Sequence, residues 1–157
     1  MDIAVAGATW LHLAATVVVL GYYAVVPLIV LPALRRSLSP DALGPGLAAI
    51  ERRALPAIVA ALVVFFATGV YLTGSDQRYG GAGAIASPWA GAILVKHGVI
   101  VVMVLIGAWV DAAAVRAGSV ESTTARAAAL RRFSLGGGAI SVLGVVVLLL
   151  TAVAQAG

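Results

Sequence analysis

Three ionisable side chains lie inside apolar stretches of the sequence, where folding alone gives them no role. Lys96 and His97 are adjacent within "ILVKHGVIVV", and His12 lies within "ATWLHLAATVVVLGYY". They comprise both histidines of the chain and its one lysine. Neutral imidazole is a good ligand for iron, copper and zinc, and a desolvated lysine can act as a base or a proton carrier. These three residues are therefore the candidates for chemistry.

The composition predicts that lipid surrounds most of the chain. Of its 157 residues, 62% are hydrophobic and 10% are charged, whereas soluble domains are about 45–50% apolar and about 25% charged. The absence of cysteine excludes disulfides, thiolate metal sites and the attachment motif of c-type haem. We interpret the net charge of +4 as a sign of membrane topology and not of nucleic-acid binding.

Four segments have the length and apolarity of membrane-spanning helices, for which about 20 residues suffice. The sequence therefore predicts an all-α, integral membrane four-helix bundle that forms one domain over residues 1–157. The first apolar stretch is uncharged from Ile3 to Leu34, too long for a cleaved signal peptide, so it is counted as a span. The predicted spans are residues 8–34, 54–74, 88–110 and 135–157.

The arginines predict the direction of the spans. Eight of them fall in the first and third connections, Arg78 alone falls in the second, and neither terminus carries a basic residue. The positive-inside rule then places both termini on the outer side of the membrane. Trp10 and Trp89 fall near outer helix ends and Trp109 near an inner end, where aromatic belts form. We expect a multi-pass protein of a bacterial cytoplasmic (inner) membrane.

The two histidines are predicted to share one site in the outer half of the bundle. If the first helix begins at Ile3, both lie about 13 Å below the outer face. The helical period puts His12 on a stripe with Thr16, Val19 and Tyr23, and His97 on a stripe with Val101, Val104 and Ala108. Small residues are expected to leave room for a flat macrocycle at Ala15, Gly91, Gly98, Gly137, Ser141 and Gly144.

Haem b fits this inventory best, because haem needs only one or two axial ligands from the protein. His12 and His97 are then the predicted iron ligands, with Thr16 and Lys96 beside the cofactor. Lys96 could pair with a propionate, serve as an alternative ligand, or extend to the interface with no partner. Copper is the alternative metal, although no thiol is present to bind it. Each histidine could also only hydrogen-bond to a neighbouring helix.

The remaining polar residues give weaker signals. All six acidic residues are predicted at helix ends or in connections, among them Glu51 and Asp111, so no carboxyl pair is expected within the membrane. Tyr22, Tyr23 and Tyr71 are candidate donors of hydrogen bonds between helices. The first connection is predicted to be long, with a short helix near residues 47–53, and the third to extend its flanking helices.

The apolar segments also resemble a known group of membrane proteins. "WLHLAATVVVLGYYAVVPLIVLPAL", "RRALPAIVAALVVFFATGVYLTG" and "PWAGAILVKHGVIVVMVLIGA" are similar to the first three helices of the CopD family of copper-resistance proteins. The arrangement also resembles the HemJ family of four-span protoporphyrinogen oxidases, which is associated with haem b. That family pairs a first-helix histidine with a third-helix lysine, and His12, Pro27 and Lys96 match its pattern.

The resemblance implies haem binding more than it implies oxidase activity. Leu28 stands where the HemJ pattern has an arginine, and "TVVVLGYY" lacks the usual tryptophan. The leading hypothesis is a cytochrome-b-like protein for electron transfer or haem-linked oxidation. A copper-binding or copper-transport protein and a structural subunit of a larger membrane complex are the alternatives. The expected partners are the lipid bilayer, a redox protein or a larger complex, and a second copy of the chain, with no nucleic acid.

Overall fold

A computed structural model describes the backbone of residues 2–77 and 88–156, and the side chains of 2–77 and 90–153. Within these residues the protein is all-helical and contains no strand. Four helical rods are long and apolar enough to cross a membrane, which confirms the predicted fold class. The side on which the termini lie stays a prediction. The connection that carries Arg78 lies outside the described residues, and so does the side chain of Trp89.

The first rod consists of three consecutive segments. They are α1 (Ile3–Val25), a π-helical turn (Val26–Val30) and α2 (Leu31–Ser37). The other rods are α3 (Pro40–Ser75), α4 (Pro88–Ser119) and α5 (Thr123–Ala156). The first rod packs against α3, α3 against α4, α4 against α5, and α5 returns to the first rod. The four rods therefore close into a ring, and the short connections 38–39 and 120–122 make the rods that they join antiparallel.

Eight arginines gather at one end of this bundle, which we call the arginine-rich end. It is formed by α2, the beginning of α3, the end of α4 and the beginning of α5. The best-buried core also lies here, because Leu47, Val110 and Phe133 are each 0% exposed. Large apolar side chains face outwards at both ends of the bundle, including Trp10 at 68% and Trp109 at 49% exposure, as expected for a lipid-facing surface.

The helices are longer than the predicted spans, and the prediction of a long first connection is wrong. Only residues 38–39 separate α2 from α3, and the expected short helix near 47–53 is part of α3. The Ser39 hydroxyl caps α3 by accepting from the Ala42 N–H, and Pro40 occupies the first turn, where its missing N–H costs nothing. The third connection shrinks to residues 120–122, because both flanking helices extend into it as predicted.

Glycine permits close contact between α3 and α4 at the arginine-rich end. A Cβ added at Gly44 would collide with the Ala117 carbonyl oxygen, and one at Gly118 would lie 2.5 Å from the Ala48 Cβ. Small residues allow helix backbones to approach in membrane bundles. This crossing fixes the separation of the two helices that carry Glu51 and Asp111.

The π-helical turn is stabilised by contact with α5. Pro27 has no N–H, so it cannot give the Tyr23 carbonyl its usual helical hydrogen bond. The Ser141 hydroxyl of α5 lies 3.1 Å from that carbonyl oxygen and 2.9 Å from its own Gly137 carbonyl oxygen. Gly137 leaves space for the proline ring, since a Cβ there would be 2.5 Å from the Pro27 Cγ. The irregular turn is thus partnered by a serine and a glycine of α5.

Replacing Ser141 with alanine is expected to lower the free energy of unfolding by about 1 kcal/mol, the typical net value of a hydrogen bond. Thr151→Val is the matched control, because the Thr151 hydroxyl bonds only to the Val147 carbonyl of its own helix. Denaturant titration in detergent measures both variants. Equal losses would contradict a specific role for Ser141 at the π-helical turn.

Candidate functional site

The first candidate site is a cavity of about 380 Å³ that we call the histidine cavity. His12 and Thr16 line it from α1, and Lys96 and His97 line it from α4. Phe65 and other residues of α3 and α5 complete its wall: Gly69, Thr73, Val147 and Thr151. All four site residues inferred from the sequence therefore border one cavity. Their roles as ligands stay predictions.

Contacts with α3 hold the His12 ring in one orientation. Its Nδ1 lies 3.1 Å from the Phe65 carbonyl oxygen and 3.0 Å from the Thr68 hydroxyl oxygen. The Thr68 hydroxyl donates to the Val64 carbonyl at 2.6 Å, so it accepts from the histidine. Nδ1 therefore carries the proton, which leaves the lone pair on Nε2. The ring also stacks on Phe65 with centroids 4.4 Å apart.

His97 is held in the same tautomer by its own helix. Its Nδ1 lies 2.7 Å from the Ile93 carbonyl oxygen, an acceptor that requires the nitrogen to donate. The lone pair is again left on Nε2. Histidines that bind metals usually donate their other ring N–H to a carbonyl or carboxylate, which fixes the ring. Both imidazoles in this cavity meet that condition.

Lys96 brings a positive charge to the same cavity. It is only partly exposed, and it lies close enough to His12 to interact with it electrostatically. Lys96 forms no ion pair or hydrogen bond with the side chains and backbone that the structure describes. An unpaired charge within an apolar span is costly and usually marks a function. Lys96 can therefore bind an anionic group of a ligand in this cavity, which Asp76 also lines.

The residues that make room in this cavity differ from those expected. Gly69 of α3 lies against the imidazole, because a Cβ there would be 3.3 Å from the His12 Cε1. The expected positions do not line the cavity: Ala15, Gly91, Gly98, Gly137, Ser141 and Gly144. Gly144 instead accommodates Leu20, whose Cδ2 would lie 2.7 Å from an added Cβ.

Only one of the two helix stripes faces the bundle interior along its whole length. Thr16, Val19 and Tyr23 do continue inwards from His12 along the bundle interior. On α4 the stripe that begins at His97 does not stay in the bundle interior, because Val101 is 54% exposed. Val104 and Ala108 line a different cavity, described below.

A second polar cluster joins α1, α3 and α4 nearer the arginine-rich end. The Tyr22 hydroxyl donates to Oε2 of Glu51, and the Tyr23 hydroxyl lies 3.0 and 2.9 Å from the two carboxyl oxygens of Asp111. Glu51 is 0% exposed, and its carboxyl group interacts with that of Asp111. We call these four residues the carboxyl cluster. They confirm Tyr22 and Tyr23 as donors between helices.

The carboxyl cluster corrects the expectation that all acidic residues lie at helix ends or in connections. Glu51 lies within α3 because that helix begins at Pro40. Asp111 lies within α4 because the alanine-rich segment after it keeps the helix intact to Ser119. Two carboxyl groups therefore meet inside the bundle, each just outside the predicted spans 54–74 and 88–110.

Asp111 and Tyr23 line a second cavity, of about 590 Å³, which we call the aspartate cavity. Gly107 leaves space for the Tyr23 hydroxyl group next to α4, because a Cβ there would lie 2.8 Å from the Tyr23 hydroxyl oxygen. The cavity extends to Arg116. Both cavities are bordered by the same four residues, which form a common wall: Thr16, Phe65, Ile100 and Val147.

The apolar rods are those of a multi-pass membrane protein. No family model matches the chain, and no curated protein and no solved structure is significantly similar to it. The contribution of α3 to the histidine cavity was missed in the sequence. A threonine followed by a glycine in "FFATG" is the signal that could have revealed it, since such residues allow a hydrogen bond and close approach.

Proposed function

We propose that this protein binds haem b in the histidine cavity, where His12 and His97 would hold the iron, and that it serves in electron transfer or haem-linked oxidation. The observation that carries the proposal is the pair of imidazoles on one cavity, each with Nδ1 bound to a backbone carbonyl. Ligand sites in helix bundles are commonly built from side chains on facing helices. His12 and His97 come from the first rod and α4.

The number of available ligands favours haem over copper. Among the residues described, no group of three or more histidine, cysteine, aspartate or glutamate side chains could hold a metal ion. A copper ion bound by two imidazoles alone would be under-coordinated, whereas haem provides the remaining ligands from its own ring. Copper binding, which the CopD resemblance implies, is therefore the second candidate.

The cavity also has the volume of a small-molecule pocket and a cationic side chain on its wall. Its volume of about 380 Å³ falls within the range of small-molecule pockets, about 300–1,000 Å³. Lys96 supplies a positive charge that a propionate could neutralise. Thr16 lies on the wall next to His12 and donates to the His12 carbonyl at 2.7 Å, so its hydroxyl is satisfied within the helix.

The residues around the cavity would position the cofactor and exclude water. Haem supplies one-electron chemistry when bound. Phe65 and Thr68 orient the His12 ring, and the Ile93 carbonyl orients His97. Apolar groups of Ile93 and Ile100 cover the wall near the imidazoles. A HemJ-like oxidase activity would use the same residues, with Lys96 beside the reacting group.

The wider setting of the protein belongs to the same proposal. We place it in the cytoplasmic membrane of a bacterium with the arginine-rich end inside, as the positive-inside rule requires. The histidine cavity then lies in the outer half of the membrane, where a redox partner or a larger membrane complex would exchange electrons with it. A second copy of the chain could contribute to such a complex.

An absorption spectrum of the full chain, purified in detergent after expression with haem available, tests the proposal. We expect the spectrum of haem b in the oxidised and reduced protein, with one haem per chain. A colourless protein that also fails to take up added haem would overturn haem binding. Metal analysis of that protein would then show whether copper is bound, and the absence of both would favour the structural subunit.

A further inference from the structure

The carboxyl cluster contains a buried acid whose polar atoms are not all satisfied. Oε2 of Glu51 accepts from Tyr22, but Oε1 is buried and has no hydrogen-bond partner. The side chain is 0% exposed. A buried polar atom without a partner destabilises the fold, and more so if it is charged. The geometry around Glu51 therefore calls for a further ligand.

The second carboxyl group makes full ionisation of the cluster unfavourable. Asp111 of α4 lies close enough to Glu51 for the two carboxyl groups to influence each other electrostatically. Two adjacent carboxylates in a low-dielectric site cannot both keep their charge at moderate cost. No lysine or arginine among the described residues forms an ion pair with either acid. The ion pair found at this end of the bundle joins Arg126 to Asp41 instead.

We propose that Glu51 and Asp111 share one proton and form a proton-binding site inside the bundle. The shared proton would give Glu51 Oε1 the hydrogen bond that it lacks, while one negative charge remains on the pair. The Tyr22 hydroxyl stabilises that charge by donating to Oε2 of Glu51, and the Tyr23 hydroxyl does so by donating to the Asp111 carboxyl group, whose two oxygens lie at similar distances from it. The site is separate from the histidine cavity and does not depend on a cofactor there.

The aspartate cavity gives this site a route for proton exchange. Asp111 lines the cavity, whereas Glu51 is enclosed behind it. Arg116 lies on the same wall towards the arginine-rich end. The other titratable groups at the pair are Tyr22 and Tyr23 of the first rod, and α5 contributes Ile140 and Val147 to the described lining. Protons would thus enter from the arginine-rich end through Asp111.

Infrared spectroscopy of the purified full chain, in water and in deuterium oxide, tests for the shared proton directly. We expect a carbonyl stretching band of a protonated carboxyl group at neutral pH, with a shift in deuterium oxide and loss on alkaline titration. Glu51→Gln should abolish the band, because its amide donates to Asp111 and leaves that acid ionised. Tyr22→Phe should shift the band without removing it.

Variants of exposed acids provide the matched control. Asp41→Asn and Glu121→Gln replace exposed carboxyl groups and should leave the band unchanged. Absence of the band in the wild-type protein at neutral pH would overturn the proposal. Its disappearance on addition of sodium, potassium or calcium chloride would overturn it as well, since a cation would then neutralise the pair. Because Tyr22→Phe retains both acids, an unchanged band in that variant would contradict the assignment even if Glu51→Gln failed to fold.

Discussion

Replacing His97 with alanine is expected to abolish the absorption spectrum of bound haem b. The His97 side chain forms its hydrogen bond with the Ile93 carbonyl of its own helix. Its removal therefore breaks no hydrogen bond between helices. Loss of an axial ligand would therefore be the main effect, and folding should be preserved. His12→Ala should have the same spectral consequence. The measurement is the haem-to-protein ratio after purification, with an expected decrease of at least tenfold.

The stability of the His12 variant can be separated from its cofactor binding. When the imidazole is removed, the Thr68 hydroxyl can turn its proton from the Val64 carbonyl to the Phe65 carbonyl, 3.2 Å away, so that carbonyl does not lose its only side-chain donor. Thr9→Val is a control on the same cavity, since the Thr9 hydroxyl bonds to the Val5 carbonyl and should not bind iron. Free imidazole should restore the spectrum of His97→Ala. Full haem content in both histidine variants would refute axial ligation by these residues.

Replacing Gly44 with alanine is expected to lower the free energy of unfolding by about 1–3 kcal/mol, the usual cost of overpacking. The added Cβ would collide with the Ala117 carbonyl oxygen. That atom belongs to the backbone of α4 and cannot rotate away, so the two helices must separate. Ala48 and Gly118 lie at the same crossing and would lose their contact. Thermal or denaturant unfolding in detergent measures the change.

Gly21→Ala is the matched control for this prediction. Gly21 lies inside α1, and an added Cβ would meet nothing within 4 Å. Alanine is favoured over glycine in a helix interior by about 0.5–1 kcal/mol, so this variant should be stabilised. The two identical substitutions are thus expected to have opposite effects. A stabilised Gly44→Ala protein would show that α3 and α4 do not approach each other as closely as described.

The membrane helices were predictable because long apolar segments leave few alternatives in lipid. The ends of the helices were not. Pro45 in the sequence favours a break in the helix, yet in the structure it lies inside α3, near its beginning. Charged residues such as Arg52 and Arg53 were assigned to a connection, although they lie on exposed positions of that helix. Apolarity identifies the part of a helix in lipid but not the part that extends beyond it.

The candidate site was predictable in part for a similar reason. His12, Lys96 and His97 are unusual within apolar segments, so their types and positions were informative. Glu51 and Asp111 are ordinary acids next to charged or alanine-rich sequence, and their burial depends on close contact between α3 and α4. Such a contact involves residues far apart in the chain. One sequence contains no direct signal that these two acids meet.

The π-helical turn also determines which side chains of the first rod face the interior near the arginine-rich end. Tyr23 and Leu31 are both buried, at 4% and 1% exposure. In an uninterrupted α-helix with about 100° per residue, Leu31 would point about 80° away from Tyr23. A π-helical turn absorbs one extra residue, which brings the two directions to within about 20°. The turn therefore resets the rotational phase of the rod, so that α2 buries Leu31 while Arg35 and Arg36 remain outside.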